Sequence, residues 1–232
     1  MIIFDKITTI NSKQVKMDGF EELNSSVIFQ KIDKSDLKLL HNASKIKKFN
    51  SGEIINYEND EVLKVYFLLK GFIKVYKINR FDNEIFLYTL KNEGLITTFS
   101  LFETSYYFSN TECIENSTIL CIEFSKLQQL FQTSQSITLF FYEQLEKLYS
   151  LLKYVINREI VHDGTAKVAY MLANSLDEFN ILKKQDVAYM LNIQPETLSR
   201  ILTKLKREEI IETSMDGSVI VKNYNKLIAI FI

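Results

Sequence analysis

The stretch from residue 183 to residue 206, KKQDVAYMLNIQPETLSRILTKLK, constrains the fold of this chain more than any other segment. Its apolar residues recur at helical spacing, so that each of two short helices presents one apolar stripe to the other. Ala188 is small enough to let the helices approach closely. Asn192 tolerates the positive φ of a sharp turn, and Pro195, the only proline, suits the first turn of a helix. The pattern predicts a helix-turn-helix held together by Val187, Leu191, Ile193, Leu198 and Ile201.

The second helix of this motif carries side chains suited to reading DNA bases. Glu196, Ser199 and Arg200 lie at i, i+3 and i+4, so they project from one face near its N-terminal end. Arginine can donate two hydrogen bonds to guanine, glutamate can accept one from cytosine, and serine can contact several base edges. Basic residues farther along the helix suit contacts to phosphates. The predicted DNA-binding residues are Lys184, Gln185, Glu196, Thr197, Ser199, Arg200, Lys204, Lys206 and Arg207.

The sequence after this helix predicts a β-hairpin. Two β-rich runs, Ile210–Thr213 and Ser218–Val221, flank the dipeptide Asp216-Gly217, which is a strong hairpin signal. A hairpin here would make a winged helix-turn-helix, with Lys222 as a candidate contact to the DNA backbone.

The competing interpretation of the second helix is that it is an ordinary surface helix of mixed charge. In that case, the spacing of its buried residues, the turn residue Asn192 and the exposed residues Glu196, Ser199 and Arg200 would fit a DNA-binding motif by accident.

The run ETLSR at 196–200, within QDVAYMLNIQPETLSRILTKLKREEII, resembles the C-terminal domain of the Crp-Fnr regulators. The likeness continues upstream, where residues from about 45 to 130 are similar to the β-roll of the same family and include Gly52 and Gly71. The resemblance implies a regulator of transcription that binds double-stranded DNA as a homodimer and acts with RNA polymerase. By the same resemblance, Arg200 would read a guanine, Glu196 its neighbourhood on the opposite strand and Ser199 a thymine, favouring a TTGA-like half-site.

The region from about Lys45 to Phe124 predicts an all-β barrel or roll. Short β-branched and aromatic runs alternate there with turn residues, such as Asn50-Ser51-Gly52 and Asp82-Asn83. The expected fold class is therefore α+β, with a jelly-roll-like β-roll sensor, a long dimerisation helix and a C-terminal winged helix-turn-helix. The expected division is an N-terminal extension at 1–20, the sensor at 21–133, the dimerisation helix and hinge at 134–160, and the DNA-binding domain at 161–232.

From about Ser134 to Arg158, apolar residues recur at alternating steps of four and three, as in the seam of a coiled coil. Such a seam either meets a partner or is buried against the chain's own roll. Phe140, Leu151 and Ile156 broaden the stripe, so one side could also face the roll while the other meets a second copy. In the resembled family this helix forms the dimer interface, and the reader of a two-fold symmetric DNA site must itself be two-fold. The predicted interface residues are Phe141, Leu145, Leu148, Leu152 and Val155.

Departures from the family bear on what the sensor binds. Members that bind cyclic nucleotides hold the ribose and phosphate with a Gly-Glu pair and an Arg-Ser pair, where this chain has Thr98-Phe99 and Tyr107-Phe108. No obvious cation is left to pair the phosphate, which argues against cyclic AMP. Members that hold an iron-sulfur cluster use four cysteines, whereas this chain has two, so an iron-sulfur cluster is also disfavoured. Cys113 and Cys121 read as small buried residues, and the sequence leaves a redox role undecided.

Haem is the remaining cofactor that members of the resembled family use. The sequence does not assign a cofactor to this chain, and haem is one candidate. The imidazoles in this chain are His41 and His162, and each also suits a surface or structural role. An aromatic cluster could line an apolar effector pocket, or could simply pack the core. Its members are Phe99, Phe102, Tyr106, Tyr107 and Phe108. Nitric oxide, carbon monoxide, redox change and a small organic or peptide ligand are all open as signals, as is regulation without a ligand.

Composition excludes several other classes of protein. The chain is 47% hydrophobic and 25% charged with a net charge of −1, which describes a globular protein without a strong field for nonspecific nucleic-acid binding. Without a signal peptide or membrane span, a cytoplasmic location is expected. Glycine-rich phosphate loops and HExxH or GxSxG motifs are missing, so an enzyme is not expected. The main rival hypothesis is a ligand-binding module that regulates a protein partner through the helix-turn-helix.

Overall fold

The computed structural model describes residues 19–232, and its N-terminal part is a β-roll of two packed four-stranded sheets. The strands run in the order β1-β8-β3-β6 in one sheet and β2-β7-β4-β5 in the other, and all described pairs are antiparallel. Their bounds are β1 Ser44–Phe49, β2 Ile54–Asn56, β3 Lys64–Lys70, β4 Phe72–Ile78, β5 Glu84–Lys91, β6 Gly94–Leu95, β7 Asn110–Cys113 and β8 Ser117–Glu123. The predicted roll is confirmed, while residues 1–18, most of the predicted extension, lie outside the described residues.

Turn residues in the sequence mark where the strands reverse. Gly71 separates β3 from β4 with a φ of 118°, a conformation that L side chains rarely adopt. A Cβ atom at this position would also lie 2.7 Å from the Cα atom of Ser117. Asp82, between β4 and β5, has a φ of 59°, which aspartate tolerates better than most residues. The short connections of the roll therefore depend on a few residues with the required backbone freedom.

Helices cover one side of the roll. The helices α1 (Gly19–Ser25) and α2 (Lys34–Asn42) precede the first strand, with a 3-10 turn at Val27–Lys31 between them. After the last strand, α3 (Phe124–Thr133) leads into the long helix α4 (Gln135–Ile156). Among residues 19–232, none of the helices combines the length and the apolarity needed to cross a membrane.

The start of α4 is fixed by a serine cap and an aspartate on α2. The Ser134 hydroxyl oxygen accepts a hydrogen bond from the Ile137 N–H, satisfying a free donor of the first turn. The hydroxyls of Ser134 and Ser136 donate to Asp36 at 2.5 Å and 2.7 Å. These hydrogen bonds hold the pKa of the Asp36 carboxyl below its ordinary value. The long helix is thereby tied to the helical cover of the roll.

The apolar seam of α4 packs on the roll of its own protomer. Phe140 is buried, with its ring 5.0 Å from that of Phe29 and 5.9 Å from that of Phe67. Of the five residues predicted to form the dimer interface, Phe141, Leu148 and Val155 are buried, and Leu145 and Leu152 are half-buried against the same core. Within the protomer, the aromatic core of the roll therefore covers most of the face that the heptad pattern assigns to a partner.

The C-terminal domain has a core of its own, formed by residues such as Val168, Leu172, Leu198 and Leu205. A π-helical turn, Asn157–Val161, leads from α4 into this domain. The elements that follow are α5 Gly164–Asn174, α6 Leu176–Ile181, α7 Lys184–Met190, α8 Pro195–Arg207, β9 Ile211–Thr213, β10 Val219–Val221 and α9 Tyr224–Ile228. The expected α+β class, with a roll, a long helix and a winged helix-turn-helix, is confirmed.

Candidate nucleic-acid interface

The helix-turn-helix forms between α7 and α8 as its sequence predicts. Val187, Ala188 and Leu198 are almost completely buried where the two helices meet. Asn192 has a φ of 51° in the turn, and Pro195 is the first residue of α8. Asparagine suits this left-handed position, and the missing N–H of proline costs nothing at a helix start. The predicted packing and turn chemistry are both confirmed.

The outward face of α8 carries the residues predicted to read bases. Glu196, Ser199 and Arg200 are exposed, on the side opposite the buried Leu198 and Leu205. The Arg200 Nη2 atom donates a hydrogen bond to the Thr197 Oγ1 atom at 3.2 Å. This contact restricts the long arginine side chain before any ligand is present. The face can therefore offer two parallel N–H donors together with a carboxylate and a hydroxyl.

The basic residues of this surface are free to bind an anion. Five of the predicted DNA-binding residues are cationic and exposed, namely Lys184, Arg200, Lys204, Lys206 and Arg207. None of these five has a carboxylate within 4.0 Å in the part of the chain that the structure describes. Exposed, unpaired Lys and Arg side chains on one helix face are suited to phosphate oxygens, which are bound with release of counterions.

The wing also forms, around Asp216-Gly217. Strands β9 and β10 pair antiparallel, and Gly217 takes a φ of 88° in the turn between them. The Asp216 carboxylate accepts hydrogen bonds from Ser214 and Ser218, which hold its pKa below the ordinary value. Lys222, the predicted backbone contact, lies 3.1 Å from Glu212 across the hairpin. A phosphate contact by Lys222 would therefore compete with an exposed ion pair.

Gln185 occupies a different place from the α8 residues. It lines a cleft of about 590 Å³ between the helix-turn-helix and the turn that joins β4 to β5. Asn79, Asn83 and Glu84 line the cleft on the roll side, and Asn192 and Pro195 line it on the α7–α8 side. Gln185 thus lies where the DNA-binding domain meets the roll, and its predicted DNA contact stays a prediction.

The interior of the roll has little free space. A cavity of about 10 Å³ lies between the sheet β2-β7-β4-β5 and α4, and is lined by Tyr88, Thr97, Tyr107 and Leu152, among other residues. Its lining, within the described residues, contains no charged side chain. This volume accommodates one water molecule, so a cyclic nucleotide cannot enter without displacing a tyrosine. Burial raises the pKa of both the Tyr88 and Tyr107 hydroxyls, which keeps them neutral at physiological pH.

The aromatic residues predicted to line an effector pocket do not converge. Phe99 packs against Phe124 and Phe131, whereas Tyr107 stacks on Tyr66 on another side of the chain segment. Phe102 is 98% exposed, and Tyr106 and Phe108 are also exposed. Residues 98–109 form an irregular surface segment, which directs these side chains in different directions.

The imidazoles and thiols are held inside separate clusters. His41 lies edge-on to Phe20, and His162 packs against Tyr170 and Phe231, with its Nδ1 atom buried and without a hydrogen-bond partner in the described residues. Neither imidazole borders the roll cavity or the interdomain cleft, so these sites do not fit a haem.

The two cysteines lie one in each sheet, Cys113 on β7 and Cys121 on β8. Both are free and buried. Burial raises the pKa of both thiols and so disfavours the reactive thiolate.

One face of α4 remains apolar and uncovered. Tyr142, Tyr149 and Ile156 recur at intervals of seven residues and are more than half exposed. Leu139, one turn before Tyr142, and Ile160, one turn after Ile156, extend the same stripe and are also exposed. The sequence pattern did not single out this stripe because the seam beside it has more apolar residues, at alternating steps of four and three, and no polar hydroxyl among them.

Comparisons with known proteins agree with this architecture. The cyclic nucleotide-binding domain family matches residues 46–134, and the Crp-like helix-turn-helix domain family matches residues 166–230. The first match covers the roll together with α3, and the second covers α5 to α9. Together the two matches cover the roll and the DNA-binding domain, in the order in which the fold presents them.

Individual relatives and solved structures show the same combination. The chain is 25% identical over 175 residues to the HTH-type transcriptional regulator ArcR of Staphylococcus haemolyticus, covering 71% of this chain and 77% of that protein. The fold matches FixK2 from Bradyrhizobium japonicum with a TM-score of 0.60 and 15% identity, covering 82% and 98% of the two chains. A CooA variant from Carboxydothermus hydrogenoformans matches with a TM-score of 0.62 and 19% identity, covering 82% and 89%. With its roll, long helix and exposed basic α8, the chain belongs to the Crp-Fnr family and is a DNA-binding transcriptional regulator.

Proposed function

We propose that this regulator binds, as a homodimer, to an inverted repeat in DNA and reads each half-site with one α8 helix. The exposed face of α8 carries this proposal, because it combines base-reading side chains with cations that have no acidic partner among the described residues. A helix of this kind enters the major groove by its N-terminal end. Two such helices related by a two-fold axis would bind half-sites about 34 to 36 Å apart.

The exposed apolar stripe of α4, rather than the buried seam, is the proposed contact between protomers. Tyr142, Tyr149 and Ile156 share one helix face, since seven residues make almost two full turns. A second copy of the same stripe would bury these side chains in an isologous interface. The exposed charges of Glu146 and Lys153 flank the stripe, in the manner of the charged residues beside a coiled-coil seam.

The proposed half-site resembles TTGA. Arg200 is assigned to a guanine, Glu196 to the neighbourhood of that guanine on the opposite strand, and Ser199 to a thymine. The hydrogen bond from Arg200 to Thr197 supports the assignment to guanine, because it holds the guanidinium on the outward face of α8. The remaining cations are assigned to phosphates, where they fix the register of the protein on DNA.

The site of action proposed for this regulator is the cytoplasm, with RNA polymerase as its partner at the promoter. A small-molecule signal acting through the roll would have to displace Tyr88 or Tyr107 to enter the closed cavity. A cyclic nucleotide is not the proposed ligand, because the lining described for that cavity offers no cation for its phosphate. Regulation of a protein partner through the same domain is the competing function.

Fluorescence anisotropy with a labelled inverted TTGA repeat tests the proposal directly. We expect the purified protein to bind the repeat on the order of a thousandfold more tightly than a scrambled duplex. The logarithm of the binding constant should fall linearly with the logarithm of salt concentration, because phosphate contacts release counterions. Equal affinity for the repeat and the scrambled duplex, or affinity insensitive to salt, would instead favour a protein partner.

Arg200→Ala is expected to weaken binding to the repeat by about 1 to 3 kcal/mol and to relax the base preference at one position of each half-site. The reason is that alanine cannot donate the paired hydrogen bonds that distinguish guanine. Competition assays with all four bases at each position measure both effects. Lys206→Ala is the matched control, since a lost phosphate contact should weaken binding to every sequence alike and reduce the salt slope by about one. Intact affinity and base preference in Arg200→Ala would refute the docking of α8.

A further inference from the structure

Strand β5 is an edge strand, and the DNA-binding domain occupies its open side. In the sheet order β2-β7-β4-β5, β5 has a strand neighbour on one side alone. On the other side, the Phe86 N–H donates to the Asn192 Oδ1 atom at 2.9 Å, and the Asn192 Nδ2 atom donates to the Phe86 carbonyl at 2.8 Å. The side-chain amide of Asn192, in the turn between α7 and α8, therefore forms hydrogen bonds with β5 as the backbone of a neighbouring strand would.

A β-bulge in β5 lets a second side chain, that of Arg158, bind the backbone at Phe86 beside Asn192. The register between β4 and β5 shifts so that Tyr76 pairs with Phe86 and Val75 pairs with Tyr88, leaving Leu87 unopposed. Bulges redirect backbone groups away from the regular ladder. The Arg158 Nη2 atom donates to the carbonyls of both Phe86 and Leu87, at 2.9 Å each. Arg158 is 4% exposed, and these two hydrogen bonds pair its buried guanidinium group with backbone carbonyls.

Arg158 connects in turn to the helix-turn-helix through a chain of charges. Glu159 accepts hydrogen bonds from the Arg158 Nε atom at 2.6 Å and from the Lys167 Nζ atom at 2.7 Å. Burial would raise the pKa of Glu159, but the hydrogen bonds from Lys167 and Arg158 hold it below the ordinary value. Lys167 also donates to the Leu191 carbonyl at 3.2 Å. The direct contact of β5 with the Asn192 amide and the chain of charges from Arg158 to Lys167 thus end at adjacent residues of one turn, Leu191 and Asn192.

A third contact lies one turn earlier on α7. The Tyr189 hydroxyl donates to the Glu84 Oε2 atom at 2.8 Å, and the Tyr189 ring lies 5.5 Å from the ring of Phe86. These contacts leave the reading face of α8 uncovered, because Glu196, Ser199 and Arg200 remain exposed. The attachment of the domain to β5 is consequently compatible with DNA binding.

The covalent link between α4 and the DNA-binding domain, Asn157–Val161, contains Arg158 and Glu159 and so takes part in these contacts. The π-helical turn Asn157–Val161 ends in Ile160 and Val161, whose side chains are largely exposed. A π-helical turn is a local departure from the regular helix and is common at functional sites. The contacts of Arg158, Asn192 and Tyr189 with β5 therefore orient α8 together relative to the roll.

We propose that Asn192 is a positioning residue that sets the direction of each α8 helix against strand β5, and thereby selects the spacing between the two half-sites. This inference rests on the proposed binding of a dimer to an inverted repeat. Asn192 would act through the orientation of the domain and not through a contact with a base. Its removal should consequently change the tolerance for spacing and leave the base preference as it is.

Asn192→Gly removes the amide while keeping the turn, because glycine adopts a φ near 51° without strain. The measurement is the affinity for inverted repeats with the optimal spacing and with one base pair added or removed. We expect the wild type to prefer the optimal spacing. The ratio of the affinity at the optimal spacing to the affinity at the altered spacing should fall roughly three- to tenfold in the variant, as for the loss of one or two hydrogen bonds. Tyr189→Phe, which loses the bond to Glu84, should shift the ratio in the same direction by less.

Asn59→Gly is the matched control, since Asn59 also has a positive φ, of 67°, but lies in a turn of the roll away from the α7–α8 turn. We expect this control to keep the wild-type spacing ratio. An unchanged ratio in Asn192→Gly would overturn the positioning role of Asn192 while leaving the proposed function intact. A wild type that prefers no inverted repeat at any spacing would instead refute the proposed function itself, and the positioning role with it.

Discussion

Tyr149→Glu is expected to convert the proposed dimer into monomers and to weaken binding to the inverted repeat by at least about a hundredfold. Tyr149 is 63% exposed in the protomer and lies at the centre of the apolar stripe of α4. A carboxylate there would be buried against its two-fold copy, where an unpaired charge is costly. Loss of the dimer removes the linkage between two reading helices, and such linkage raises affinity by about 10² to 10⁴. Sedimentation velocity and anisotropy measure the two effects.

Ser150→Glu provides a control with the same new side chain at the next residue. Ser150 is exposed but lies about 100° around the helix from Tyr149, away from the centre of the stripe. We expect this variant to stay dimeric and to bind the repeat within about threefold of the wild type, as for a surface change of about 0.5 kcal/mol. A dimeric Tyr149→Glu protein with wild-type affinity would show that the protomers meet elsewhere.

Phe140→Ala is expected to lower the free energy of unfolding by about 3 to 5 kcal/mol. The Phe140 ring joins α4 to the 3-10 turn through Phe29 and to the sheet through Phe67, and it also packs edge-on against Phe141. Removing the ring would leave a cavity that these rigid neighbours cannot fill completely. Urea denaturation followed by circular dichroism gives the change in the free energy of unfolding.

Ser150→Ala, at an exposed position of the same helix, is expected to change the free energy of unfolding by less than about 0.5 kcal/mol. A similarly small loss for Phe140→Ala would mean that the seam of α4 does not carry the packing that joins the helix to the roll. Both variants should be compared at one protein concentration, because dimerisation adds to the apparent stability.

The dimer seam shows where sequence periodicity reaches its limit. The steps from Phe141 to Val155 correctly predict a long amphipathic helix, because burial of one face imposes that spacing whatever the face packs against. The periodicity does not say whether the covering surface is a second copy or the chain's own roll. That choice depends on Phe29 and Phe67, which are distant in sequence and meet the helix only in the folded protein.

A related limit applies to the aromatic residues from Phe99 to Phe108. Closeness along the chain suggested a shared pocket, but irregular backbone sends neighbouring side chains in different directions. Only regular helices and strands convert spacing in the sequence into a shared face. The exposure of Glu196, Ser199 and Arg200 on α8 was predictable. The start of this helix, the turn before it and its buried stripe all depend on residues that are close together in the sequence.

The interdomain contacts were beyond any reading of the sequence. Asn192 was recognised for its backbone conformation, whereas its side chain also pairs with the edge of β5. The sequence pattern places Arg158 at the end of a helix, whereas its burial depends on carbonyls that a bulge in β5 presents. Both contacts join residues more than 70 positions apart, as the separations of 106 and 71 show.

The sequence by itself determined the order of roll, long helix and winged helix-turn-helix, and the residues that α8 exposes on its outward face. These features depend on local periodicity, capping and turn preferences, which act over a few neighbouring residues. Only the tertiary structure decided which face of α4 remains open, how small the roll cavity is, and how the DNA-binding domain is held against β5. Those features depend on close packing and hydrogen bonding between distant segments, whose partners a linear pattern does not identify.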